Sequence, residues 1–362
     1  MSNNNTDQTS LNASLLTKAT RILAQADETG VVAIMASRNA MACQQNQLTL
    51  RLPFYAPTWQ AALAQKTKVK LAMLGLSLQF SQQVAALKAK NTPAIKGVKN
   101  VIVVASGKGG VGKSTVAVNL ALALAQNGAA VGMLDADIYG PSVPLMLGQQ
   151  EARPQSDDGK TMLPIAAHGI VANSIGFLVA KDDATVWRGP MASKALAQII
   201  RETQWGELDY LVVDMPPGTG DIQLTLSQQV PVTSAIVVTT PQNVALADAS
   251  KGINMFRKVD VPVVGVVENM SIHVCSQCGH QEAIFSHGGG QHLAQQYEAR
   301  LLAQLPLHRH FCQDTDAGTP TVVQRPDSPL TQAYQQLAET VAIKLYQEGE
   351  LGEQQISVLA IE

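Results

Sequence analysis

The sequence predicts a doubly wound, mostly parallel α/β domain preceded by a small α+β module. Three observations carry that prediction. From residue 101 onward, short runs rich in Val, Ile and Leu alternate with longer stretches of helical periodicity. The short runs are bounded by Gly, Pro or Asp, as buried parallel strands are. Before residue 91 helical and strand-like stretches follow one another without that alternation.

Taken in order, residues 1–10 are polar and are expected to lack structure. Residues 11–90 form the small module. Leu15, Leu16, Ala19, Ile22 and Leu23 recur at helical spacing. Val31–Met35 reads as a short strand, and Gln47–Leu52 alternates as a half-buried strand does. Trp59–Lys66 and Ser81–Lys88 read as helices. Residues 91–100, with Pro93 and Gly97, read as a linker. The main domain is expected over 101–346. Its strands are Val101–Ala105, Ala130–Leu134, Tyr210–Val213, Ala235–Thr239 and Val263–Val267. Its crossover helices are Lys113–Gln126, Ser193–Glu202, Ile222–Gln229 and Val244–Lys258. Residues 347–362 are a tail with Glu348, Glu350, Glu353 and Glu362 and no Lys or Arg.

Composition narrows the classes. Hydrophobic residues are 46% and aromatics 4%, so the core is large and mostly aliphatic. A formal net charge of -2 gives no case for nucleic acid or an anionic membrane. No run approaches the ~18 apolar residues of a membrane span. The first ten residues hold no apolar signal core. Four cysteines, at 43, 275, 278 and 312, are too few and too uneven for a disulfide framework. A reducing, cytoplasmic setting is expected.

One segment carries phosphate chemistry. Gly107-Lys108-Gly109-Gly110-Val111-Gly112-Lys113-Ser114-Thr115 fits G-x-x-x-x-G-K-S/T without a mismatch, after a strand and before a helix. The glycines let successive N–H groups turn inward around phosphate oxygens, and the helix adds its positive end. Lys113 is expected to reach the terminal phosphates of ATP. Ser114 would ligate Mg²⁺ and Thr115 would contact the α-phosphate. The main domain is therefore read as a P-loop NTPase domain.

Acidic residues follow two of the strands, as Asp135 and Asp137 and as Asp214. A carboxylate at the C-terminal end of a parallel strand points into the ligand crevice. Asp214 is assigned to the Mg²⁺ shell, Gly218 to sensing the γ-phosphate, Asp137 to orienting the attacking water, and Asp135 to support. Helix capping is the competing role for the aspartates. Asn269, after the strand Val263–Val267, is assigned to the adenine edge.

Cys275 and Cys278 form a C-x-x-C pair next to Gly279. One pair supplies half of a four-thiolate set. Two pairs joined across a two-fold dimer would hold an iron–sulfur cluster or a zinc ion. His273, His280 and His287 flank the pair and offer a zinc site within one chain instead. Spacing alone leaves these readings open. A thioredoxin-like pair is disfavoured because no helix opens at the motif. Cys43 and Cys312 read as small buried apolar residues.

The second lysine of the phosphate loop, Lys108, resembles the deviant Walker A box of the MinD/ParA/nitrogenase-iron-protein class. That resemblance implies an ATP-sandwich homodimer in which Lys108 reaches the partner's nucleotide. Across residues 95–345, several further segments occur in order: Asp135–Pro144, Trp187-Arg188-Gly189-Pro190-Met191, Asp214–Asp221, Glu268-Asn269-Met270-Ser271, Cys275–Cys278, and Ile284-Phe285 with Gly288–Gly290. As a set the chain resembles the Mrp/ApbC family of P-loop ATPases. The resemblance implies a 4Fe–4S cluster bridged by Cys275 and Cys278 between two protomers. It also implies a cluster assembly scaffold as donor and apo iron–sulfur proteins as recipients. Ser276 stands where the family usually has Pro. Residues 11–90 are similar, in degenerate form, to the MIP18-like module that precedes many such ATPases. A MinD/ParA-like positioning ATPase and a structural-zinc ATPase are the alternatives.

Overall fold

The computed structural model describes residues 3–44, 46–89, 92–178, 189–275 and 277–352. Trp187, Arg188, Ser276 and residues 353–362 of the expected tail lie outside them.

The N-terminal module consists of helices α1 (Asn3–Ala26) and α2 (Val31–Ser37), strands β1 (Met41–Gln44) and β2 (Gln47–Leu52), helix α3 (Pro57–Met73) and strand β3 (Ser77–Gln82). Its sheet has the order β1-β2-β3, with β1–β2 antiparallel and β2–β3 parallel. Three expectations change here. Residues 3–10 are helical, because a helix set by the apolar residues further on propagates into polar sequence at small cost per residue. Val31–Met35 is helical, because Asp27 and Thr29 supply acceptors to its first amides. Asp27 Oδ2 accepts from Val32 N at 2.8 Å and Thr29 Oγ1 from Val31 N at 3.3 Å. Ser81–Lys88 is extended rather than helical, since Ser81 and Gln82 end β3 in register with β2.

The main domain follows as β4 (Val98–Ala105), α4 (Lys113–Gln126), β5 (Val131–Asp135), α5 (Val143–Met146), β6 (Ile165–Ala167), β7 (Ile170–Ser174), α6 (Gly189–Glu202), β8 (Leu208–Asp214), α7 (Asp221–Gln229), β9 (Ser234–Thr239), α8 (Asn243–Lys258) and β10 (Val263–Glu268). It continues with β11 (His273–Val274), β12 (Gln281–Glu282), α9 (Gly289–Gln296), β13 (Leu301–Gln304), α10 (Arg309–Asp316), α11 (Thr321–Gln324) and α12 (Pro329–Glu348). The eight-stranded sheet has the order β13-β10-β9-β4-β8-β5-β7-β6. Every pairing is parallel except β6–β7. The first strand, β4, lies at the centre with later strands wound to both sides. A ligand crevice is expected at such a switch point, outside the carboxyl ends of β4 and β8.

Each face of the sheet is covered by its own apolar layer. One contains Leu134, Leu211, Trp205 and Phe256. The other contains Ile102, Val212 and Leu120 and continues through α12 into the N-terminal module. There Phe54 meets Tyr346 with ring centroids 5.8 Å apart. Glu339 of α12 accepts from Thr58 N at 2.8 Å and Trp59 N at 3.1 Å, satisfying the first amides of α3. Among the described residues no helix is long and apolar enough to cross a membrane.

Candidate functional site

The loop between β4 and α4 is cross-tied by its neighbours. Ser106 Oγ donates to Lys108 O at 2.8 Å, and Gly218 N donates to Ser106 O at 3.0 Å. Asn269 Nδ2 donates to Val111 O at 2.9 Å. Two glycines are dictated by space. A Cβ on Gly107 would lie 2.1 Å from the Asp248 carbonyl carbon of α8. Gly112 has φ +80°, and a Cβ there would lie 2.3 Å from Asn269 Nδ2.

Lys113 opens α4 with its side chain only 6% exposed. Its ammonium is ion-paired with Asp214 Oδ1 and sits 3.2 Å from Ser114 Oγ. Asp214 Oδ2 is buried without a hydrogen-bond partner. A buried carboxylate oxygen left over beside a hydroxyl is an oxygen-donor pair of the kind Mg²⁺ takes. The ion therefore fits the residues present.

Asp135 lies opposite Asp214 in the β5–β8 register, and both are fully buried. Asp135 Oδ1 accepts from Asp137 N, and its Oδ2 accepts from Val143 N and Ser174 Oγ, all at 3.1 Å. Burial and then the Asp214 charge push Asp135 up to about 7. Burial also raises Asp214, against the pull of Lys113. Asp137, half-buried on the loop after β5, is raised mainly by burial, with Lys113 opposing. Its carboxylate accepts backbone N–H bonds from Gly140 and Tyr139. Lys108 is half-exposed, and among the described residues its ammonium has no ion pair.

The cysteine pair sits on a ribbon apart from the large sheet. β11 and β12 pair antiparallel, with His273 opposite Glu282. Cys275 N donates to His280 O, and Gly279 N donates to Cys275 O, both at 2.9 Å. Backbone N–H groups of Cys278 and Gln277 point at the Cys275 sulfur and hold its thiol below the usual range. Cys278 is exposed. Among the described residues no three His, Cys, Asp or Glu side chains gather as a metal set. His273, His280 and His287 are not gathered with the pair in this arrangement.

The other cysteines separate. Cys43 is buried in β1, as its small apolar character suggests. Cys312 is exposed on α10, against expectation, and its Sγ lies 3.3 Å from Asp316 Oδ2 one turn on. Spacing in sequence does not reveal which face of a short helix meets solvent.

Sequence reasoning passed over Glu268 as anything more than the end of a strand. Its side chain is fully buried and accepts from Ser271 Oγ and Gln304 Nε2 at 2.7 Å and from Gly290 N at 2.5 Å. A charged residue closing a Val-rich strand was the available signal.

The sheet order and the loop after its central strand define a P-loop NTPase of the ParA/MinD type. Among solved structures, the chain is similar to the nucleotide-binding protein of Archaeoglobus fulgidus in complex with ADP. That match has TM-score 0.58 and 33% identity, and covers 66% of this chain and 93% of that one. The cell division ATPase MinD of Pyrococcus furiosus shares the fold at TM-score 0.50 and 22% identity, over 67% of this chain and 98% of that one.

Residues 97–342 match the ParA family of NUBPL iron-transfer P-loop NTPases, and the chain belongs to that family. It is 62% identical over 284 residues to the iron-sulfur cluster carrier protein of Escherichia coli K12, covering 78% of this chain and 77% of that protein. The carrier protein of Haemophilus influenzae is 58% identical over 311 residues, covering 84% and 83%. The mouse iron-sulfur cluster transfer protein NUBPL is 50% identical over 253 residues, covering 69% and 79%.

Proposed function

We propose that this chain is a cytoplasmic, ATP-hydrolysing carrier of iron–sulfur clusters. It receives a cluster from an assembly scaffold, holds it between two copies of itself and passes it to apo-proteins. The observation that carries this reading is the half ligand set on the hairpin. A half-buried and an exposed thiol, Cys275 and Cys278, stand together without a third ligand among the described residues, on a chain that also holds a phosphate loop. A two-fold axis doubles two thiolates to four, the number a 4Fe–4S cluster takes. The names of the relatives point the same way.

In this reading the amides of 107–115 and the Lys113 ammonium hold the phosphates, with Thr115 at the α-phosphate and Lys108 reaching across to the partner's nucleotide. Ser114 and Asp214 would hold Mg²⁺, which when bound would neutralise phosphate charge. Asp137 orients the attacking water. Gly218 exchanges its bond to Ser106 O for one to the γ-phosphate, and Asn269 reads the adenine edge. Asp135 supports the site through the loop amides it already binds. Nucleic acid and membrane have no part in this cycle.

The test is anaerobic reconstitution with iron and sulfide, followed by absorbance in the iron–sulfur charge-transfer region and metal analysis. The wild-type chain takes up a cluster at one per dimer. The double variant Cys275→Ala, Cys278→Ala takes up none and donates none, yet binds ATP as before. A double variant that retained a full cluster, or a wild-type chain that bound zinc alone, would sink the assignment.

A further inference from the structure

We propose that Glu268 is the positioning residue through which the phosphate loop and the cysteine hairpin respond to each other. The inference rests on the reading above for what the thiols carry, but not for its test.

Glu268 and Asn269 are neighbours that face different functional parts. Asn269 holds β10 to the phosphate loop through Val111 O, and its own N–H bonds Thr239 O at 2.7 Å. Glu268 holds the hairpin segment. Ser271 and Gly290 are the entrance and exit of the excursion that carries Cys275 and Cys278, and both donate to the same carboxylate. Gln304 of β13 makes the third bond. A fully buried carboxylate is tolerated only where such donors surround it, so these bonds form or break as a set. Packing tightens the link, since a Cβ on Gly290 would lie 2.8 Å from Glu268 Cβ. Backbone bonds close the frame: Leu305 N donates to Glu268 O at 2.8 Å, and Ser271 N donates to Leu305 O at 2.9 Å. Movement of Val111 against the end of β10 therefore passes through Asn269 to Glu268, which holds both feet of the hairpin. The coupling is measured directly, as a change at the thiols when nucleotide binds.

The experiment uses the full chain without cluster. Each thiol is alkylated with iodoacetamide and followed by mass spectrometry, with and without ADP or a non-hydrolysable ATP analogue. Exposed Cys312 serves as the internal reference. In the wild-type chain nucleotide changes the alkylation rate of Cys275 and Cys278 by about fivefold or more relative to Cys312. Glu268→Gln keeps the volume but turns an acceptor into a donor facing other donors. It abolishes the nucleotide response while nucleotide affinity is retained. A merely structural Glu268 would lower stability and leave the response intact, and that result overturns the proposal. So does a wild-type chain whose thiols ignore nucleotide. If Glu268→Gln does not fold, Ser271→Ala decides: it removes one donor and is expected to reduce the response, and an unchanged response overturns the proposal. Absence of a cluster after reconstitution would defeat the carrier reading and leave this measurement standing.

Discussion

Lys113 in the phosphate loop is almost fully buried and paired to a buried aspartate, whereas Cys278 on the hairpin stands exposed, with its partner thiol directly after the first strand of a two-stranded ribbon. Around the loop, Ser106, Val111 and Gly107 are each tied or pressed by another element of the same chain. Around the hairpin, the ties run to its feet, at Ser271 and Gly290, with Cys275 half-buried and Cys278 exposed between them. The backbone of the phosphate loop is thus braced within one chain. The thiol site is held in place but not completed, which is what a shared and temporary grip requires.

That contrast breaks first at Lys113. Lys113→Met leaves Asp214 and Asp135 buried without their cation. Breaking a buried pair from one side costs about 3–5 kcal/mol, so urea unfolding should move by that much and calorimetry should find no nucleotide binding. A variant as stable as wild type would show that the loop is not internally settled. Two glycines sharpen the contrast next. Both have left-handed backbones, Gly112 at φ +80° and Gly279 at φ +72°. Gly279 has open space around its missing Cβ, while Gly112 faces Asn269. Gly279→Ala is expected to cost only about 1 kcal/mol of strain. Gly112→Ala adds displacement of Asn269 and reaches about 3 kcal/mol, with weakened nucleotide affinity. Equal costs in thermal unfolding would remove the distinction.

The same contrast explains what was legible in the sequence. Buried parallel strands announce themselves as Val- and Ile-rich runs, so β4, β8, β9 and β10 could be read directly. The strand β7 could not, because Asn173 and Ser174 end it with polar groups. Their use is tertiary, Ser174 Oγ donating to Asp135 and Asn173 Nδ2 to Thr203 Oγ1 at 2.8 Å. Val31–Met35 looked like a strand because a short apolar run is ambiguous; acceptors on Asp27 and Thr29 decide it. The glycines and Lys113 of the phosphate loop show in one contiguous motif. Glu268 does not, since its three donors come from positions 271, 290 and 304.

The smallest expected effect on stability falls on the hairpin. Cys278 is exposed, and its backbone N–H supports the Cys275 sulfur first, with a smaller contribution from its thiol. Cys278→Ser keeps that N–H and the side-chain shape. Thermal unfolding should therefore shift by less than about 0.5 kcal/mol, the range of surface substitutions away from special features. Cluster uptake in the same sample should fall to background, because a hydroxyl replaces one of the thiolates offered to the cluster. A loss of about 2 kcal/mol would instead mean that the thiol is part of the settled structure, as Lys113 is. The hairpin and the phosphate loop would then differ only in ligand, and the case for a shared thiol site would weaken with them.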